Sequence, residues 1–191
     1  MLIAYEMTAE APARFEFYDG APASVFCPRC GDVVDHNYAP RDLGVKSLHF
    51  DMAATRDGHS IASQKFRDFC ARTGIPNLDL IRVNAAPPLY DLRPRAIITY
   101  DVDCKPPVFE NRCILCGSYE SIVGPSYSSI KGVDFPIRKG IYRTDLVFAS
   151  GREKHPFYVV GLDTAELMKK ESLRGVLLTE IRKELAAGGA V

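Results

Sequence analysis

The chain has 191 residues, 47% hydrophobic and 25% charged, with 24 Lys and Arg against 24 Asp and Glu. A chain of that size builds its own core as one domain, or as two small ones sharing a core. The charge balance argues against a generalised binder of nucleic acid or anionic membranes, which carries basic excess. No apolar run of about 18 residues exists to span a bilayer, and the opening MLIAYEMTAEAPARFEFYDG has neither a basic start nor a continuous apolar stretch. No secretory signal is therefore expected, and the cytoplasm is the expected compartment.

In chain order, MLIAYEM and ARFEFYD alternate as strands do, separated by a Pro-containing turn. A Cys27-Pro-Arg-Cys-Gly31 knuckle follows, then polar, turn-rich chain to Arg41. KSLHFDMA (46–53) has strand character, and Asp57-Gly58 marks a turn. ASQKFRDFCARTG predicts a short helix: Ser63 caps it, Phe66, Phe69 and Cys70 share a face, and Gly74 stands at the C-cap. LDLIRV (78–83) predicts a strand, 84–95 a Pro-rich extended segment, and AIITYDVD (96–103) another strand.

The second knuckle is Cys113-Ile-Leu-Cys-Gly117. SYESIVGPSYSSI after it suggests loop with strand fragments, whereas IYRTDLVFAS and HPFYVVGL are strand-like. DTAELMKKESLRG predicts a helix with Asp163 as N-cap, Glu166 three residues on, Leu162 and Leu167 as a hydrophobic staple, and Gly175 as the stop. VLLTEI (176–181) predicts a closing strand, and AAGGAV a frayed tail. The fold class expected is α+β, with mixed or antiparallel sheets and few short helices. Each half runs from CxxCG through strand and helix to a Gly and an apolar strand. The organisation is thus a single domain, 1–191, or two duplicated halves, 1–95 and 96–191, joined at the cysteines.

Two CxxCG turns supply Cys27, Cys30, Cys113 and Cys116, a complete set for a tetrahedral ion with metal–sulfur bonds of about 2.3 Å. One turn alone fills half of it. The Gly after each second Cys allows an open backbone there, so main-chain N–H groups can face the thiolates. Four sulfurs leave no position for a reactive water, so the expectation is structural zinc in a zinc-ribbon-like site. Iron shares this geometry, and the cysteines could instead stay metal-free thiols, act as redox dithiols, or form a disulfide within each turn. A redox dithiol should open a helix after a strand, whereas polar loop follows both turns. His36, soon after the first knuckle, could replace a Cys ligand, but the Cys set is already complete; Cys70 is read as a buried thiol, and Cys104 has no assignment.

No phosphate-binding glycine loop, zinc-protease motif or nucleophile elbow occurs, and the four His (36, 49, 59 and 155) are dispersed. A non-enzyme is expected. Asp32, Asp35, Asp42, Asp101 and Asp103 are either solvated turn residues or an acidic face that blocks a basic groove on a partner. Lys131, Arg138, Lys139 and Arg143 are the one basic cluster that could serve nucleic acid.

The ordered set of Cys27–Gly31, Cys113–Gly117, VDFP (133–136), RTDLVFA (143–149) and MKKESLRGVLLTEI (168–181) resembles the myxobacterial double-CXXCG family. Its members are described as immunity proteins for polymorphic toxins exchanged between kin cells. The resemblance covers the first knuckle and nearly everything after 112, while 50–105 matches less clearly. It implies a cytoplasmic protein that binds and neutralises a cognate protein toxin, with structural cysteines. The competing expectation is a zinc-ribbon nucleic-acid-binding or regulatory module.

Overall fold

A computed structural model describes residues 1–9, 15–124 and 128–183. The protein is α+β, with two sheets and two short helices. One sheet has the order β12-β1-β11-β10-β6-β9, with the hairpin β7-β8 attached through β8 to the far end of β10. The other has the order β2-β3-β5-β4. The strands are β1 (Leu2–Ala9), β2 (Met52–Ala54), β3 (Ser60–Ser63), β4 (Leu78–Asn84), β5 (Leu89–Pro94) and β6 (Ile97–Tyr100). Then come β7 (Val108–Arg112), β8 (Tyr119–Val123), β9 (Ile130–Lys131), β10 (Ile141–Ser150), β11 (His155–Val160) and β12 (Val176–Arg182). Pairing is antiparallel except between β10 and β6.

Helix α1 (Gln64–Thr73) forms where its local signals place it. The Ser63 side chain accepts from the Phe66 N–H, Gly74 closes the helix at φ 61°, and Phe66, Phe69 and Cys70 are buried. Helix α2 (Leu162–Glu171) departs from its signals: the N-cap is Gly161 rather than Asp163, and Ser172 at φ 53° ends it rather than Gly175. The reason is tertiary. The first N–H groups, which a cap residue normally satisfies, donate instead to the carbonyls of Ile137 and Arg138 at 2.8 Å. Asp163 is thereby released to pair with Arg138 at 3.1 Å.

Both helices connect parallel strands that are not neighbours. Between β3 and β4 lies the antiparallel β5; between β11 and β12 lies the antiparallel β1. The order β2-β3-β5-β4 thus corresponds position for position to β10-β11-β1-β12. The inserted strand follows β4 in the first unit but comes from the N-terminus in the second, so the sheets do not part at residue 95. The sheets and helices share one core, in which Tyr5, Met52, Phe66, Phe69, Tyr90, Leu92 and Met168 meet.

The irregular segment from Phe15 to Leu48 covers the outer face of the smaller sheet, packing Phe17 and Val45 onto Ile61, Val83 and Leu89. Side chains of the β2–β3 turn and of β4 hold it. The Asp57 carboxylate accepts from the N–H groups of Phe17 and Tyr18, each at 2.8 Å. The Asn84 amide bonds the N–H and carbonyl of Val45 at 3.0 and 2.9 Å. This cover corrects two expectations. Residues 15–19 form a turn, because Asp57 takes the N–H groups that a strand partner would need, and residues 46–51 are irregular up to β2. In the segment expected to be merely extended, residues 89–94 form β5, a central strand. Five of its six residues are buried, which erases the alternation that marks a half-exposed strand. Residues 13–14 and the AAGGAV tail lie outside the described residues.

Candidate metal centre

The first knuckle sits in the cover segment, between the turn Ala23–Val25 and a bridge from Phe26 to Val33. The second is the tip of the β7-β8 hairpin. Each is built alike. Gly31 N–H donates to the Cys27 carbonyl at 2.8 Å, and Gly117 N–H to that of Cys113 at 2.9 Å. Cys27 N–H reaches the Asp32 carbonyl and Cys113 N–H the Ser118 carbonyl, both at 2.7 Å. Gly31 and Gly117 have φ of 73° and 80°, which a side chain would strain.

The tips face each other. Cys27 Sγ lies 3.9 Å from Cys113 Sγ, and Cys30 Sγ 3.6 Å from Cys116 Sγ. All four sulfurs fall within 4.8 Å of one another. An ion bonded tetrahedrally at about 2.3 Å separates its sulfurs by about 3.8 Å, so the set has the span of a four-thiolate metal site. A disulfide needs about 2.05 Å, and all six cysteines are free. Residues 27, 30, 113 and 116 can hold a structural metal ion, and the chemistry it supplies is a cross-link between the cover of one sheet and a hairpin of the other.

The backbone prepares the sulfurs for that role. The N–H groups of Cys116 and Leu115 point at Cys113 and bring its thiol down from 9 to about 6. Those of Cys30 and Arg29 lower the Cys27 thiol in the same way. At Cys30 the N–H of Asp32 favours the thiolate, but burial and proton sharing with the other three sulfurs outweigh it and raise the thiol to about 12. In each knuckle it is the buried first cysteine whose thiol is brought down, the direction that favours the metal-binding thiolate.

A second contact, remote in sequence, supports the junction. The Lys154 ammonium lies 2.7 Å from the Asp32 carboxylate and also donates to the Tyr119 carbonyl, so one side chain grips both knuckles from beneath. The Lys154 side chain is 6% exposed. Its neighbour Arg152 lies over the Phe26 ring, 4.1 Å from the centroid. No sequence motif signals either residue.

The other candidates sort by their contacts. His36 lines a cleft behind the centre and is outside the sulfur cluster. Cys70 is buried in α1, its thiol pushed up to about 12 by desolvation, and Cys104 is exposed. The acidic residues each have partners within the fold. Asp32 serves Lys154; Asp35 and Asp42 accept from the N–H groups of Asn37 and Gly44, as in ordinary Asx turns; Asp101 and Asp103 pair with Lys131. The basic set is divided, since Lys131 and Arg138 are ion-paired and Arg143 enters the cleft. A scan against protein-family models and a search of curated proteins find no match to this chain.

Proposed function

We propose that this chain is an immunity protein that binds and neutralises a cognate bacterial toxin in the cytoplasm, with zinc in its four-cysteine centre. The observation that carries the reading is the exposed face around the sulfurs. Ile114 and Leu115, the two residues between Cys113 and Cys116, are 82% and 61% exposed. With Pro28 and Arg29 of the first knuckle they line a shallow apolar depression. Strand β7 beside them is exposed along its whole length and, among the described residues, pairs on one side only. Large apolar side chains and an open strand edge are the ingredients of a protein–protein interface. The metal holds the tips rigid, which lowers the entropic cost of docking. Action is by occlusion of the toxin, not by catalysis, in keeping with a sulfur set that leaves no open coordination position.

The immunity role itself rests on the resemblance of the ordered motifs to those of the double-CXXCG family. No helix among the described residues is long and apolar enough to cross a membrane. A role as a zinc-ribbon nucleic-acid module has less behind it, because two members of its basic cluster are spent in ion pairs.

Co-expression with a candidate toxin taken from an adjacent reading frame tests the proposal. Cells should survive, and a complex should co-purify. Ile114→Asp with Leu115→Asp should abolish protection while leaving the metal content unchanged. Equal killing with and without this protein, and no complex, would dispose of the idea.

A further inference from the structure

Behind the metal centre lies a cleft of about 750 Å³, between β5 of the smaller sheet and β10 and β11 of the larger one, with Asp32 and Tyr119 at the knuckle end. That volume is in the range of small-molecule sites. Its wall is rich in charge of both signs, and what matters is which charges are already committed.

Each acidic group of the cleft has its partners. Asp32 holds Lys154. Asp79 holds Arg95 at 3.4 Å. Asp91 is 1% exposed and accepts from Arg93 Nε at 2.5 Å and lies 3.3 Å from His59 Nδ1. Asp145 accepts the backbone N–H groups of Tyr100 and Leu146 at 2.8 and 2.9 Å. The cationic side is not balanced in this way. Arg143 is half-buried on β10, and its side chain forms no ion pair and, among the described residues, one hydrogen bond, a 3.4 Å contact from Nη1 to the Thr144 carbonyl. Arg152 lies over the face of Phe26 and has no carboxylate partner among the described residues. Lys154 has three donors and, among the described residues, two partners. Arg143 and Arg152 thus bring to the cleft cationic donors that no carboxylate among the described residues takes up, while the Asp145 carboxylate, bonded through Oδ1 alone, is the one acid there with no cation partner among them.

A chain of polar groups in the same cleft does not compete for this role. His59 is stacked on Phe17 at 3.7 Å, and its Nε2 lies 2.9 Å from the Tyr18 hydroxyl while its Nδ1 faces Asp91. Both ring nitrogens are engaged, so His59 fixes the shape of the wall and has no free nitrogen to offer a ligand.

We propose that the cleft is a binding site for a small organic oxyanion, a carboxylate or phosphate, with Arg143 as its principal ligand and Arg152 and Lys154 as flanking donors. Guanidinium matches both anions with two parallel N–H bonds, and a half-buried position strengthens the attraction over that of a surface arginine. The site is independent of the immunity reading: it needs the cleft, not the toxin.

Nitrogen-15 NMR of the arginine side chains tests it in the intact protein, with inorganic phosphate and citrate as probes and sodium chloride at matched ionic strength as the reference. The Arg143 Nε–H resonance should shift and saturate with phosphate or citrate. Arg143→Gln should weaken the fitted affinity by roughly tenfold or more, the scale of a lost charge-assisted pair. Arg143→Lys should fall between. Arg138→Gln, which removes a cation paired to Asp163 outside the cleft, should leave binding unchanged. If phosphate and citrate move Arg143 no more than chloride does, or if Arg143→Gln binds as the parent does, the site does not exist.

Discussion

Asp32 and Lys154, 122 residues apart, form a 2.7 Å ion pair in which neither side chain is more than 12% exposed. The pair joins the residue that follows the first knuckle to the turn between β10 and β11. Its lysine also reaches Tyr119 beyond the second knuckle, so the ion pair and the sulfur cluster close the same gap. Two devices of different chemistry hold one junction.

Lys154→Met should therefore destabilise the protein by about 3–5 kcal/mol, the penalty for leaving a buried carboxylate unpaired. Adding Asp32→Asn should recover a good part of the loss, because no buried charge then remains. Urea unfolding of the two single variants and the double variant measures this directly. Equal losses in the single and double variants would show that the pairing itself is not the cause.

Removing the metal should loosen the junction without unfolding the core. As purified, the protein should carry one zinc per chain by elemental analysis, and cobalt should replace it with the absorption of a four-thiolate site. After chelation, hydrogen exchange should rise in 26–34 and 108–123 and stay low in β1, β10 and β11. Cys27→Ser and Cys113→Ser should mimic chelation. The stabilisation lost should stay below the roughly 10–16 kcal/mol of a small finger that folds only on its metal, since here an independent core persists.

Thiol reactivity should rank by environment. With metal bound, iodoacetamide near neutral pH should label exposed Cys104 and spare the other five cysteines, four through coordination and Cys70 through burial. Cys70 also predicts an alkaline effect. Its folded pKa of about 12 stands above its ordinary 9, so the stability it contributes is complete below pH 9. That stability is lost as pH rises from 9 toward 12, where the unfolded thiol ionises and the folded one does not. Cys70→Ala should flatten that part of the pH–stability curve, as read by urea midpoints across the window.

Gly161 tests how α2 is capped. A Cβ there would lie 2.6 Å from the Arg138 carbonyl carbon and oxygen, so Gly161→Ala must push α2 off the segment that caps it. A loss of about 1–3 kcal/mol is expected from such overpacking. Asp163→Ala, which removes only an exposed ion pair with Arg138, should cost about 0–1 kcal/mol. The reverse order in thermal melts would restore Asp163 as the functional cap.

What the amino-acid sequence determined by itself was whatever depends on neighbours in the chain. Ser63 and Gly74 bound α1 because a cap acts within one turn, and two CxxCG turns specify half-sites whose geometry is local. Four sulfurs of one kind then leave few ways to be satisfied, which is why a long-range meeting was legible. Tertiary structure decided the rest. β5 is hidden from pattern analysis by burial on both faces, α2 is capped by carbonyls of residues 137 and 138, and β1 completes a unit at the far end of the chain. The Asp32–Lys154 pair and an Arg143 with no ion pair among the described residues belong to the same class. A charge is committed or free only by virtue of what the fold sets beside it, and composition, balanced at 24 against 24, carries no record of that.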